Sequence, residues 1–205
     1  MSHLVGTIAG MTDTKTHLHR DLRNARESLL WKLDGLGEYD LRRPMTPTGT
    51  NLLGLVKHIG GIEAGYLGEA FGLPVSDPPP WFADDPDEPN TDMWARSEES
   101  SAVIIGFYRR VWAHADATIE ALDLDAPGTV PWWPAEDADV TLHRMIVLMI
   151  GETNRHGGHA DIVRELIDGA AGLRPDFIGL PEGGEAWWAD YRDRLGQAAR
   201  KAAGQ

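Results

Sequence analysis

The chain has 205 residues, 42% of them hydrophobic, which is enough for one buried core. Thirty-two acidic side chains against nineteen basic ones leave a net charge of −13, a surface that repels phosphate backbones and lacks a patch for anionic membranes, so neither nucleic acid nor membrane partners are expected. Cysteine is absent, which removes disulfides, thiolate ligands and cysteine nucleophiles; any bound metal must be held by His, Asp or Glu.

No apolar run reaches the ~20 residues of a membrane span. The first fifteen residues carry neither a cationic start nor a long apolar stretch, so no signal peptide is expected, and the absence of cysteine fits a cytoplasmic protein. Residues 1–13 read as an extension. A first helix is predicted from Asp13, a good N-cap, with Leu18, Leu22, Ala25, Leu29 and Leu33 at spacings of three and four and Gly35 closing it. Pro44 and Pro47 break the connector that follows.

A second helix is expected over Asn51–Phe71, capped by Thr50. It contains five glycines (54, 60, 61, 65 and 68) that weaken it unless a neighbouring backbone or a bound group comes close there. Leu73–Pro89 reads as a long loop, with Trp81-Phe82 and an acidic stretch from Asp84 to Glu88. The third helix is predicted over Met93–Leu122, and the fourth from Thr141 to Asp168-Gly169. A short fifth helix, Glu185–Ala203, carries a stripe of Trp187, Tyr191 and Leu195. Strand signals are almost absent. The expected architecture is all-α: a four-helix bundle over 14–169 with long connecting loops, then a tail over 170–205 with a short C-terminal helix. A homodimer through a helix face would suit such a bundle. The paired aromatics Trp81-Phe82, Trp132-Trp133 and Trp187-Trp188 read first as loop anchors and second as walls of a pocket mouth.

The fourth helix breaks its own pattern. Its seam at alternating three and four is Leu142, Met145, Met149, Glu152, His156, His159, Val163, Leu166: apolar at both ends, ionisable in the middle. A carboxylate at a buried bundle position is costly unless paired or bound to a cation. Glu152 and His156 are one turn apart and can share an ion. On the second helix, Leu55, His58, Ile62 and Gly65 follow the same spacing and place His58 among apolar neighbours. Taken singly, His58 reads as a satisfied core histidine, and Glu152 with His156 equally as a hydrogen-bonded pair or a metal pair. Taken together, the three favour a divalent metal with an open position, a catalytic rather than a structural arrangement. Of His156 and His159, one would ligate and the other orient it. Zinc suits these donors best, and nickel, iron(II) and manganese also accept them. His143 and His114 read as surface or rim residues, while His17 and His19 carry no signal. There is no HExxH, no G-x-S-x-G elbow and no phosphate-cradling glycine loop.

Two segments, Pro47-Thr48-Gly49-Thr50-Asn51-Leu52-Leu53-Gly54-Leu55-Val56-Lys57-His58-Ile59 and Glu152-Thr153-Asn154-Arg155-His156-Gly157-Gly158-His159-Ala160-Asp161, carry a family resemblance. The chain resembles the DinB-like metalloprotein superfamily from about Thr14 to Gly169. Within it, the chain is most similar to the actinobacterial branch of mycothiol-dependent maleylpyruvate isomerase and the mycothiol S-transferases. The resemblance implies a four-helix bundle with one divalent metal at a cleft mouth, held by His58, Glu152 and His156. His159 then falls outside the ligand set, as a supporting group or base. It also implies a thiol S-transferase in which a low-molecular-weight, mycothiol-like thiol is activated as a metal-bound thiolate for attack on a small electrophile. A metal-dependent hydrolase of a small substrate and a non-catalytic, metal-stapled stress-response bundle are the alternatives.

Overall fold

In the computed structural model, which describes residues 6–82 and 88–205, the protein is mostly helical. Six α-helices run in order: α1 (Gly6–Leu30), α2 (Glu38–Arg42), α3 (Leu52–Tyr66), α4 (Ser101–Ala121), α5 (Leu142–Asp168) and α6 (Glu185–Ala202). The acidic stretch anticipated from Asp84 lies outside the described residues up to Asp87. Helix α1 packs on α5, α5 on α3 and α3 on α4. Leu22, Leu29, Leu55, Ile59, Ile104 and Met149 are among the buried side chains of the core they share. No helix among the described residues is long and apolar enough to cross a membrane.

Several boundaries differ from the sequence expectation, each for a local reason. Helix α1 starts at Gly6, with Asp13 inside it, because no proline or competing turn stops it earlier. Its last residues tighten into a 3₁₀ turn, Trp31–Leu33, before Gly35 takes the left-handed conformation at φ +76°. Asn51, not Thr50, caps α3: its side-chain oxygen accepts from the Gly54 amide at 2.8 Å. That helix ends at Tyr66, and a 3₁₀ turn over Glu69–Phe71 follows, closed by Gly72 at φ +70°. Helix α5 starts after Thr141 as expected, with the Thr141 side chain as its cap, and Gly169 terminates it at φ +81°.

Two larger differences matter more. The chain between α4 and α5 forms a small antiparallel ladder that the sequence did not announce, β1 (Pro127–Thr129) against β2 (Asp139–Thr141), with Gly128 opposite Val140. Val140 of β2 and Val130, just after β1, are buried, which is what holds so short a ladder together. Trp132 and Trp133 emerge from its loop and pack on Tyr66, 5.4 and 5.6 Å between ring centres. Secondly, α4 begins at Ser101, so residues 93–100 are not helical. Their carbonyl oxygens are taken instead by distant side chains. Asn51 Nδ2 donates to Met93, Lys57 Nζ to Trp94, and Arg42 to Ala95, Arg96 and Glu99. A carbonyl engaged in this way is lost to the i→i+4 ladder, so tertiary contacts override helical propensity here. Gly54 allows the approach, since a Cβ there would lie 1.8 Å from the Met93 oxygen.

The bundle interior also holds charges that the apolar pattern hid. Arg26 of α1 and Glu63 of α3 are both 0% exposed and form an ion pair, Nη2–Oε1 2.7 Å apart, with a hydrogen bond from Nε to Oε2 at 3.2 Å. Arg26 Nη1 also donates to Asp116 of α4 at 2.6 Å, and His19 Nε2 reaches the same oxygen at 2.8 Å. These bonds tie α1 to α3 and α4, and they give His19, silent in sequence, a structural partner.

Candidate functional site

The α5 seam shows which of its polar residues face inward. Leu142, Met149, His156 and Val163, seven residues apart, are all buried. The alternate set starts with Met145 fully buried, continues with Glu152 half-buried and His159 exposed, and ends with Leu166 at 62% exposure. A straight helix drifts about 20° per heptad against a strict seven-residue repeat, so the second set rotates steadily out of the core. The expectation that His159 and Leu166 face the interior is therefore corrected. Thr153 and Ala160 are buried in the continuing seam. His156, 7% exposed, is the ionisable residue that stays inside, while Glu152 stands at the edge and His159 at the rim.

Helix α3 brings His58 to the same place. The His58 and His156 rings meet edge to face with centres 4.9 Å apart, and the His156 and His159 rings lie 5.2 Å apart. Nδ1 of His156 is 3.4 Å from Nδ1 of His159, and its Nε2 is 3.6 Å from Oε2 of Glu152. All four residues singled out from the sequence thus gather around His156. A fifth was not anticipated. Asp92, from the segment that Arg42, Asn51 and Lys57 hold out of the helix, accepts a hydrogen bond from Nδ1 of His58 at 2.6 Å. No sequence signal marks it, because it lies 34 residues from its partner in a stretch that reads as the approach to α4. His143 is exposed and His114 Nε2 donates to the Leu73 carbonyl oxygen at 2.7 Å, both at the periphery as expected.

Burial, followed by the neighbouring His58, His159 and Arg155, lowers the His156 pKa to about 4. His156 is therefore neutral at pH 7, the form that can ligate a metal. The hydrogen bond from His58 holds the Asp92 carboxyl below the usual range, against the opposing effect of partial burial. The His156 shift has a sign for stability. The folded protein keeps this imidazole neutral down to about pH 4, whereas an unfolded histidine protonates near 6.5. Its contribution is complete above pH 6.5 and is lost as the pH falls toward 4. Urea titrations of metal-free protein should show a decline through that window that is shallower in His156→Gln.

The donor chemistry fits a divalent ion of the zinc class. Two imidazoles and one carboxylate are present, and no cysteine competes. The 3.6 Å between Glu152 and His156 exceeds a hydrogen bond, yet it lies within the span of two metal–ligand bonds of about 2.1 Å each. Among the described residues, no three His, Asp or Glu side chains lie together as a group that could hold a metal ion.

A family model described as mycothiol-S-transferase matches residues 17–169. The chain belongs to the mycothiol S-transferase family. The match contains α3, α5 and every residue of the cluster, and it ends at Gly169, where α5 is capped. Helix α6 and the segment before it lie beyond the matched residues. No curated protein matches the chain. Membership of the mycothiol S-transferase family makes this a transferase-family protein and agrees with the branch suggested by the two sequence motifs.

Proposed function

We propose that the protein transfers a low-molecular-weight thiol of the mycothiol type to a small electrophile, using a divalent metal held by His58, Glu152 and His156. The observation that carries this reading is the arrangement of the two imidazoles. Asp92 occupies Nδ1 of His58 and His159 approaches Nδ1 of His156, which leaves Nε2 of each ring, together with the Glu152 carboxylate, as the available donors among the described residues. Family membership supplies the thiol and the transfer. Held by His58, Glu152 and His156, a zinc-class ion would supply a net positive charge that favours the thiolate form of a thiol substrate at neutral pH.

The chain's own residues do the remaining work. The reactive sulfur comes from the substrate, since the protein has none on cysteine. His156 stays unprotonated because it is buried. Met149 and Ile59, on the same two helices as the cluster, are both 0% exposed, and burial in an apolar core strengthens local electrostatics. His159, exposed at the rim, supports His156 through Nδ1.

Elemental analysis of purified protein, followed by titration of cobalt-substituted protein with mycothiol, tests this proposal. One equivalent of metal, a thiol-induced change in the cobalt absorption and conjugation of an alkylating electrophile are expected. Turnover of a hydrolysable substrate without added thiol, or failure to conjugate any electrophile with any cellular thiol, would overturn it.

A further inference from the structure

We infer that Asp92 is a positioning residue that fixes the ring of His58 so that Nε2 is its donor nitrogen. The inference rests on the metal reading of the cluster. An imidazole ligates through one nitrogen, and the group hydrogen-bonded to the other sets both tautomer and ring orientation. With Asp92 Oδ2 at 2.6 Å, a carboxylate that can only accept favours the tautomer with the proton on Nδ1 and the lone pair on Nε2. A carboxylate partner also makes the imidazole a stronger base toward a cation.

Asp92 does not reach His58 through chance placement of a loop. The residues that follow it are held from three directions, by Asn51 at Met93, Lys57 at Trp94, and Arg42 at Ala95, Arg96 and Glu99. Lys57, only 2% exposed, also pairs with the Glu99 carboxylate at 2.7 Å, and its ammonium lies 4.9 Å from the centre of the Trp81 ring. Asn51 and Lys57 belong to the same motif as His58. One stretch of sequence therefore supplies a candidate ligand and two of the side chains that bring its carboxylate partner into place. Gly54, between them, leaves the Met93 carbonyl room to approach.

The test compares Asp92→Ala and Asp92→Asn with the unaltered full-length protein. Zinc affinity is measured by chelator competition, and the His58 tautomer by long-range nitrogen–proton correlation on metal-free protein. Asp92→Ala should weaken zinc binding by about 10- to 100-fold, while Asp92→Asn, which keeps an acceptor oxygen, should recover part of that loss. The metal-free protein should show the proton on Nδ1 of His58, and Asp92→Ala should mix the tautomers. Because Asp92 is 52% exposed, the melting temperature of the metal-free Ala variant should stay close to that of the parent. Unchanged zinc affinity in Asp92→Ala, or a parent His58 protonated on Nε2, would overturn the inference. So would a loss beyond about a thousandfold with an altered cobalt coordination spectrum, since carboxylates that ligate outrank those that orient. If the parent protein bound no zinc, the proposed function would fail, whereas the tautomer measurement would still decide whether Asp92 governs His58.

Discussion

Replacing any one of His58, Glu152 or His156 by Gln is expected to remove bound metal and thiol transfer together. Each substitution deletes one of three donors, and two remaining protein ligands do not hold a zinc-class ion at ordinary concentrations. The fold should survive. Glu152 and His58 are partly exposed, and Gln at position 156 replaces a neutral polar side chain with another of similar size. His159→Gln provides the contrast. It removes a rim group that touches His156 only through Nδ1, so reduced rather than abolished metal affinity is expected. Metal content by mass spectrometry and kcat/KM with mycothiol, measured on the same four preparations, separate these outcomes. Full metal and full transfer in Glu152→Gln would remove the carboxylate from the ligand set and leave the proposed centre incomplete.

Arg26→Met is expected to be the most damaging single change outside that cluster, destabilising the protein by about 3–5 kcal/mol. The guanidinium is wholly buried, and it answers two carboxylates on two other helices. Burial already pushes the Glu63 carboxyl up to about 7 despite the pull of Arg26. Without Arg26 the desolvation cost is unopposed, so Glu63 would take up a proton on folding. A carboxyl whose folded pKa exceeds its unfolded value destabilises increasingly as the pH rises above the unfolded value of about 4.5. Arg26→Met should therefore lose stability with rising pH more steeply than the parent. Adding Glu63→Leu should restore much of the loss, because an apolar pair replaces a stranded charge. Asp116 remains in the double variant but is partly exposed and can be hydrated. Urea unfolding of both variants at pH 5 and 8 measures these differences; a double variant no more stable than Arg26→Met would show that the pair matters for something other than charge compensation.

The helices of the bundle were legible because each buries an apolar stripe, and stripes recur at helical spacing. The ends of α5 were legible because Thr141 and Gly169 act on their own neighbours. The candidate donors were legible for the opposite reason: Glu152 and His156 interrupt such a stripe, and His58 stands alone within another. Three features escaped. Arg26 and Glu63 sit in apolar registers too, but on different helices, and nothing local shows that they face each other. The start of α4 was misplaced because the carbonyls that would have extended it are claimed by Arg42 and Lys57. The inward orientation assigned to His159 assumed that a repeat of seven keeps its phase over a long straight helix, and it does not.

From its own order of residues, this chain determines a helical protein of the mycothiol S-transferase family and three donor side chains for a candidate site, because periodicity, capping and motif act over a few residues. Only the folded arrangement decides that His156 stays inside while His159 turns outward, that Arg26 finds Glu63, and that Asp92 meets His58. Those outcomes depend on helix phase accumulated over several turns, and on contacts between segments tens of residues apart.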